Sequence, residues 1–506
     1  MKRHAVRFLA PLLILLILPA LAAAQQVSLT ILHTNDTHGH LLPFSYPQIV
    51  PAGSELAGLK ERSNIGGIAR RATLVKRLRE QLKRDGTEVW LVDAGDFSDG
   101  TPFSTEYHGE ADIAAMNAAG YTFGTLGNHE FNYTLAGLKN LLSLFRFPVL
   151  CANATETATG RLLVSASEVR KVGRLKIGVF GLVTHETAEY PAVKEGVTVA
   201  DEIETARRMA ETLRRQAGIV IAISHAGERA DEQIAAQVPG VDVIIGGHSH
   251  SRLDAGQLIW RSDELKPKEV NGTVIVQAHQ WGGELGRLDL LFTKGDRGMW
   301  RVDRFRARLI PVTADIPEDE AVAAVVDRYW KPISARFGEI IGQAAGDFSE
   351  RGDDLAPYNL VADAIREIFG AEIGLENMGG VRAPLVKGDI TRANLVELDP
   401  FNNPVMTFKV TGRQLREILQ KYRPAVSGLR YRMEGGTLLE ATVAGQPLDD
   451  NRSYTATTNS YLAGIALKGI DVTDTGKGRR DLLIEYIRAK GIVRPAYDGR
   501  RIILGQ

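Results

Sequence analysis

An alternation constrains this chain more than any other feature. Between residue 27 and about residue 310, short Val/Ile/Leu-rich runs take turns with helical stretches. The runs cover 27–33, 88–92, 176–182, 218–224, 241–245 and 273–277, and their length and β-branched content read as buried strands. Segments such as 67–84 and 203–215 carry helical patterning between them. Alternation of this kind predicts a layered α/β domain. The polar residues that stand out follow directly on the strands: Asn35-Asp36, Asp93 to Asp96, Gly127 to Glu130, His225, and Gly246 to His250. Open α/β sheets place their ligands in such turns, at the carboxyl ends of strands.

Hard divalent cations want converging oxygen and nitrogen donors, and a two-metal site also needs a shared bridge. Asn35-Asp36-Thr37-His38 offers an Asp and a His at i and i+2, which an extended backbone would turn to the same side. Asp96, after Gly95, offers a carboxylate able to bridge two cations. Gly127-Asn128-His129-Glu130 adds a neutral amide oxygen from Asn128 and leaves His129 free for acid–base work. His225 follows an apolar strand, and Gly246-Gly247-His248-Ser249-His250 supplies two further imidazoles. A single histidine after a strand is more often structural than a ligand, and Asp36 or Asn128 alone could be an ordinary turn residue. Five such clusters at successive strand ends in one α/β domain point to metal.

The ordered pattern resembles the calcineurin-like metallophosphoesterases, and more closely the periplasmic and cell-surface 5′-nucleotidase family that includes bacterial UDP-sugar hydrolase/5′-nucleotidases. The resemblance extends to Asn377-Met378-Gly379-Gly380-Val381-Arg382 and Asp399-Pro400-Phe401-Asn402-Asn403. It implies a layered β-sandwich metallophosphoesterase domain flanked by helices, a linker helix, and a smaller α+β substrate-specificity domain. It implies two divalent ions (Mn, Zn, Co or Mg), one held by Asp36, His38, Asp96 and His250. The other would take Asp96 as bridge with Asn128, His225 and His248. His129 matches the histidine that steadies the transition state and protonates the leaving alkoxide. The substrate would be a small nucleotide: a nucleoside 5′-monophosphate or a nucleotide sugar. Its base would sit between Phe401 and Tyr461, with Asn403 at the base edge. Arg351 and Arg382 would hold its phosphate or sugar, and Asn377, Gly379 and Gly380 would form the turn beneath Arg382. The physical account is that two cations neutralise the phosphate and lower the pKa of a bound water, so that hydroxide attacks phosphorus in line.

Two positions depart from the family pattern. The histidine motif usually continues to an aspartate three residues on, which orients the ring; here that residue is Asn132. Asn can accept a ring N–H through its carbonyl oxygen but lends an imidazolium no charge, so a poorer acid is expected. The Asn132-Tyr133 wording also resembles 2′,3′-cyclic-nucleotide phosphodiesterase/3′-nucleotidases, which gives a second enzymatic reading. A non-catalytic nucleotide-binding protein is the alternative from another class. Second, Tyr461 is followed by Leu462 to Asp471 where the family has Gly-Gly-Asp almost at once, which leaves Asp471 displaced.

The remaining features bound the setting. Lys2, Arg3, His4 and Arg7, an apolar run and Ala22-Ala23-Ala24 read as a secretory signal peptide over 1–24, and so as a periplasmic or secreted protein. No second long apolar stretch follows, so the mature chain is expected to carry no membrane span. The two-metal domain is expected over 27–310, a linker with a helix near 318–330 over 311–340, and the substrate-binding domain over 341–506. Lys and Arg number 61 against 61 Asp and Glu, so no overall field recruits a nucleic acid polymer. The one cysteine, Cys151, forbids an internal disulfide.

Overall fold

The strand β1 (Gln26–Thr34) turns Leu29 and Ile31 to one side and Leu32 to the other, and all three are buried. A strand buried on both faces belongs to the middle of a layered structure. The computed structural model describes residues 25–45, 64–187, 190–260, 272–295 and 298–504. The segment read as a signal peptide lies outside the described residues.

Twelve strands of the N-terminal part form two six-stranded sheets. After β1 come β2 (Glu88–Asp93), β3 (Phe123–Thr125), β4 (Val149–Leu150), β5 (Ser167–Val172) and β6 (Leu175–Val183). They are followed by β7 (Ile219–His225), β8 (Val243–Gly246), β9 (Gln257–Trp260), β10 (Gly272–Val276), β11 (Glu284–Lys294) and β12 (Trp300–Pro311). The first sheet runs β12-β11-β1-β2-β3-β4, with β1 through β4 parallel. The second runs β9-β10-β8-β7-β6-β5, with β6, β7, β8 and β10 parallel.

The sheets face each other across one core. Leu29, Ile31, Val92 and Phe123 from the first meet Ile177, Ile221, Ile245 and Val276 from the second. The outer faces are covered by helices. Leu32 and Leu91 pack with Ile68, Ala72 and Val75 of α1 (Ile68–Arg84). On the far side Val220, Ala222 and Ile244 pack with Ala206, Ala210 and Leu213 of α2 (Glu202–Arg214) and Ile234 of α3 (Glu228–Gln237). Each fully buried Val, Leu or Ile contributes about 1.5–3 kcal/mol of hydrophobic free energy, so the alternation along the strands decides which residues face which layer.

The helix expected at 318–330 is α4 (Glu320–Phe337), capped by the Asp319 side chain on the Val322 N–H. It does not stop before Pro332 but runs on through it, although proline removes a helical hydrogen bond. The reason is tertiary: beyond the proline, Ile333 and Phe337 pack with Val396 of the C-terminal part, while Val322 and Val326 pack on the α1 side. The C-terminal part holds a five-stranded sheet. Its strands are β13 (Ile373–Glu376), β14 (Pro404–Thr411), β15 (Ala425–Ser427), β16 (Ser453–Asn459) and β17 (Val472–Gly478), in the order β15-β13-β16-β14-β17. Helices α5 (Ala356–Phe369), α6 (Ser460–Ala466) and α7 (Arg479–Lys490) adjoin it. Among the described residues, no helix is long and apolar enough to cross a membrane. Cys151 is a buried free thiol.

Candidate metal centre

The carboxyl ends of β1, β2, β3, β7 and β8 meet at one edge of the sandwich. The side chains they bring together form three overlapping groups that could hold a cation: Asp36, His38 and His250; Asp96, His225 and His248; and His38, Asp96 and His129. His38 and His250 approach Nε2 to Nε2 at 3.2 Å, and His250 Nε2 lies 3.2 Å from Asp36 Oδ1. His225 Nε2 lies 3.1 Å from Asp96 Oδ2 and 3.2 Å from Asn128 Oδ1, which in turn lies 2.8 Å from His248 Nδ1. Ligands at right angles on one ion, with bonds of about 2.1 Å, have their donor atoms roughly 3.0 Å apart, so these separations suit shared coordination.

The local backbone is not the extended one expected for the i, i+2 pairs. Asp36 (φ 49°), His38 (φ 46°), Asp96 (φ 52°), His248 (φ 74°) and His250 (φ 53°) all adopt left-handed conformations. Such residues persist only where their surroundings over-determine them. The Asp36 and His38 N–H groups donate to Gly95 O and Asp96 O at 2.9 and 3.0 Å. Asn35 donates to Asp36 Oδ2 at 2.7 Å, and the His248 N–H donates to the same oxygen at 2.9 Å. Gly127 is required by close approach: a Cβ there would lie 2.1 Å from Asp96 Oδ1. That oxygen instead accepts the His129 N–H at 2.9 Å.

Partners behind the rings set their orientation. His225 Nδ1 faces Ala94 O at 2.7 Å and His38 Nδ1 faces Asp99 O at 2.9 Å, which turns both Nε2 atoms inward. Burial would raise the Asp36 carboxyl, but His250 and His225 outweigh it and bring it to about 2. Burial also opposes charge on His38, which falls well below the usual histidine value, and on His248, which falls to about 4. Ionised carboxylates and neutral imidazoles are the states that bind cations. His225 differs, raised to about 10 because Asp96 overrides burial.

Several contributors have a role that the sequence does not reveal. Glu130 accepts the N–H groups of Gly127 (2.7 Å) and Asp96 (3.0 Å), joining the loops after β2 and β3. Tyr190 accepts the Asn128 amide N–H at 2.6 Å, which turns the Asn128 carbonyl toward His225 and His248. Asp99 accepts from His129 Nδ1 at 2.7 Å and from the Asn132 amide. Only the pattern of partners gives these residues their role. His40, which follows the first motif, stacks on Trp281 with ring centroids 4.6 Å apart.

From the C-terminal part, Arg382 Nη2 reaches to 3.4 Å from His38 Nε2, and the Phe401 ring lies over His129 with centroids 6.1 Å apart. The turns bearing them are tied together from beneath by Arg479, which is fully buried. It bonds both Asp399 oxygens, Glu376 and Gly380 O. Asn459 donates to Glu376 and to Asn377 Oδ1, and the Gly379 N–H donates to the Tyr358 hydroxyl. Asn403 O accepts the Arg479 N–H at 2.9 Å. A Cβ on Gly380 would lie 2.4 Å from Glu376 Oε1.

Not every expected residue is brought to this group. Arg351 stacks on the Tyr497 ring, 3.9 Å from its centroid. Tyr461 opens α6 and is 50 % exposed. Asp471 precedes Val472, which pairs with Phe408, whereas Gly478 pairs with Pro404 next to Asn403. At about 3.3 Å per strand residue, Asp471 stands roughly 20 Å along the sheet from Asn403. It lines a separate cavity with Phe369, Lys409 and Thr455.

A two-sheet sandwich with Asp, Asn and His donors converging at its strand ends defines a metal-using phosphate-ester hydrolase. The chain belongs to the calcineurin-like phosphoesterases that carry a 5′-nucleotidase C-terminal domain: the first family matches residues 29–252 and the second residues 340–468. It is 28 % identical over 490 residues to a 5′-nucleotidase of Vibrio vulnificus, covering 87 % of this chain and 86 % of that one. It is 26 % identical over 489 residues to Protein UshA of Escherichia coli, covering 86 % and 85 %. The crystal structure of a 5′-nucleotidase precursor from Thermus thermophilus superposes with a TM-score of 0.83 at 26 % identity, over 95 % of this chain and 100 % of that one.

Proposed function

We propose that this chain hydrolyses nucleoside 5′-monophosphates, and nucleotide sugars as a second substrate class, at a centre of two divalent cations. The observation that carries the reading is the convergence itself. Donors from both sheets meet within hydrogen-bond distance of one another, and Arg382 and Phe401 arrive over them from the C-terminal part. The relatives named as 5′-nucleotidases support the substrate class.

In this reading Asp36, His38, Asp96 and His250 hold one ion, and Asp96, Asn128, His225 and His248 hold the other. Cations bound there neutralise phosphate oxygens and make an activated water available near neutral pH. The residues do the rest. Arg382 offers a guanidinium fork to a phosphate edge, and Phe401 offers an aromatic face to a base. Asn403 takes the base edge, and Asn377, Gly379 and Gly380 shape the turn. Arg351 and Tyr461 lie outside this group, and in this reading they meet the nucleotide from there as a second cation and a second aromatic face. His129, supported by Asn132, gives a proton to the leaving oxygen as the ester P–O bond breaks. The N-terminal leader pattern supports a site of action outside the cytoplasm, with residues 27–310 as the metal domain, 311–340 as linker and 341–506 as substrate domain.

The test is phosphate release from AMP, 3′-AMP, 2′,3′-cyclic AMP and UDP-glucose by manganese-loaded protein. AMP is expected to be hydrolysed, and Asp96→Ala to lose at least about 10³-fold in kcat/KM. If no compound releases product faster than that variant, the reading fails. Preference for 3′-AMP and the cyclic ester would establish the phosphodiesterase/3′-nucleotidase alternative instead.

A further inference from the structure

Asn132 stands where a carboxylate would be expected to orient His129, and the structure brings a carboxylate to the same ring from elsewhere. Asp99 Oδ2 lies 2.7 Å from His129 Nδ1. The Asn132 amide nitrogen donates to that same oxygen and lies 2.9 Å from His129 Nδ1. Two donors cannot bond each other, so the ring N–H goes to Asp99 and not to Asn132. Turning the amide over would set its oxygen against the Asp99 carboxylate, which is repulsive, so the hydrogen-bond network admits one arrangement. Asn132 therefore serves Asp99, and Asp99 serves the ring. The other ring nitrogen, Nε2, is left facing the metal group, 4.0 Å from Asp96 Oδ2.

Asp99 is held for this task. It adopts φ 71°, its N–H donates to the Ser104 hydroxyl at 2.8 Å, and its carbonyl accepts from His38 Nδ1 at 2.9 Å. The next residue, Gly100 (φ 154°), has no room for a side chain, since a Cβ would lie 2.8 Å from His38 O. One turn thus orients two rings, His38 through its backbone and His129 through its side chain. The two rings meet edge to face with centroids 5.0 Å apart.

We infer that Asp99 is the positioning residue of His129: the carboxylate that orients the ring stands not three residues after the histidine but in the loop after β2, with Asn132 as its brace. This rests on the proposed phosphomonoesterase reading, in which His129 delivers a proton to the leaving oxygen. It predicts that the carboxylate can be moved to position 132. Asp99→Asn keeps size and backbone but loses the anionic acceptor, and Asp99→Asn/Asn132→Asp exchanges the two side chains.

The variants are assayed for kcat and KM on AMP and on p-nitrophenyl phosphate, whose leaving group departs without a proton, and for bound manganese by metal analysis. Asp99→Asn is expected to lower kcat on AMP by roughly 10²–10⁴-fold with KM within about threefold of the parent. The loss on p-nitrophenyl phosphate should be at least about tenfold smaller, and manganese content unchanged. The exchanged double variant should recover at least about tenfold over Asp99→Asn on AMP. The inference is overturned if Asp99→Asn stays within about threefold of the parent kcat on AMP. It is equally overturned if both esters lose rate alike, manganese is lost, and the exchange restores nothing, since that describes a purely structural role. A parent protein inactive on every phosphate ester would remove the underlying reading, and this inference with it.

Discussion

Five of the seven residues assigned to the cations have left-handed backbone: Asp36, His38, Asp96, His248 and His250. Each such conformation costs on the order of 1–3 kcal/mol, and the hydrogen bonds among Asn35, Asp36, Gly95 and His248 are what retain it. A buried histidine near this cluster supplies a test of stability. His33 lies inside β1, 1 % exposed, with Nδ1 lacking a hydrogen-bond partner, and burial lowers it from 6.5 to about 3. For a base depressed in this way the native state binds fewer protons than the unfolded chain between those values. Stability is therefore complete above about pH 6.5 and falls as the pH drops toward 3. At about 1.4 kcal/mol per pH unit, this one group removes about 3 kcal/mol by pH 4. His33→Leu should consequently lose less melting temperature between pH 7 and pH 4.5 than the parent. Equal losses in both proteins would show that His33 does not titrate in this way.

At the scale of elements, the strands end where the chemistry begins, and short side-chain bridges keep the loops in step. Glu130 is the main bridge between the loops after β2 and β3, through Gly127 N, Asp96 N and the more distant Ser98 N at 3.4 Å. Glu130→Gln would set an amide N–H against backbone N–H donors and loosen both loops without replacing a ligand side chain. Manganese affinity is expected to fall about 10–100-fold, measured by titration of the metal-free protein. An unchanged affinity would mean that the strands alone hold the loops. The same scale shows the reach of sequence patterning. The long runs at 27–33, 88–92 and 176–182 correspond to Gln26–Thr34, Glu88–Asp93 and Leu175–Val183. Phe123–Thr125 and Val149–Leu150 have three and two residues, too few for any periodicity to be read.

In the whole molecule the candidate centre is a seam. Asp36, Asp96 and Asn128 follow strands of the first sheet, while His225, His248 and His250 belong to the second. Cations held between them would join the two layers and favour the native state by mass action. Removing them with a chelator is expected to lower the melting temperature by about 2–3 °C, given some 2–3 kcal/mol of ligand stabilisation in a chain of this size. Adding manganese back should restore it; a melting temperature indifferent to chelator would argue that the native state holds no cation there. The second part of the chain completes the site from the other side, through Arg382 over His38 and Phe401 over His129. The buried ion pairs of Arg479 with Glu376 and Asp399 keep those two turns together.

The α/β alternation and the order of the candidate donors were legible in the sequence alone. Hydrophobic period reports burial directly, and few side-chain types bind hard cations, so Asp36, His38, Asp96, Asn128, His225, His248 and His250 stand out at strand ends. Only the tertiary structure decided what holds and aims them. Asp99, Tyr190, Glu130 and Arg479 belong to residue types found anywhere on a surface, and their partners lie up to about a hundred positions away in the chain. Asn132 shows the difference most clearly. In the sequence it is a missing carboxylate; in the fold it braces Asp99, thirty-three residues earlier, which supplies one. A hydrogen bond joins atoms adjacent in space, and spacing along a chain does not record that adjacency.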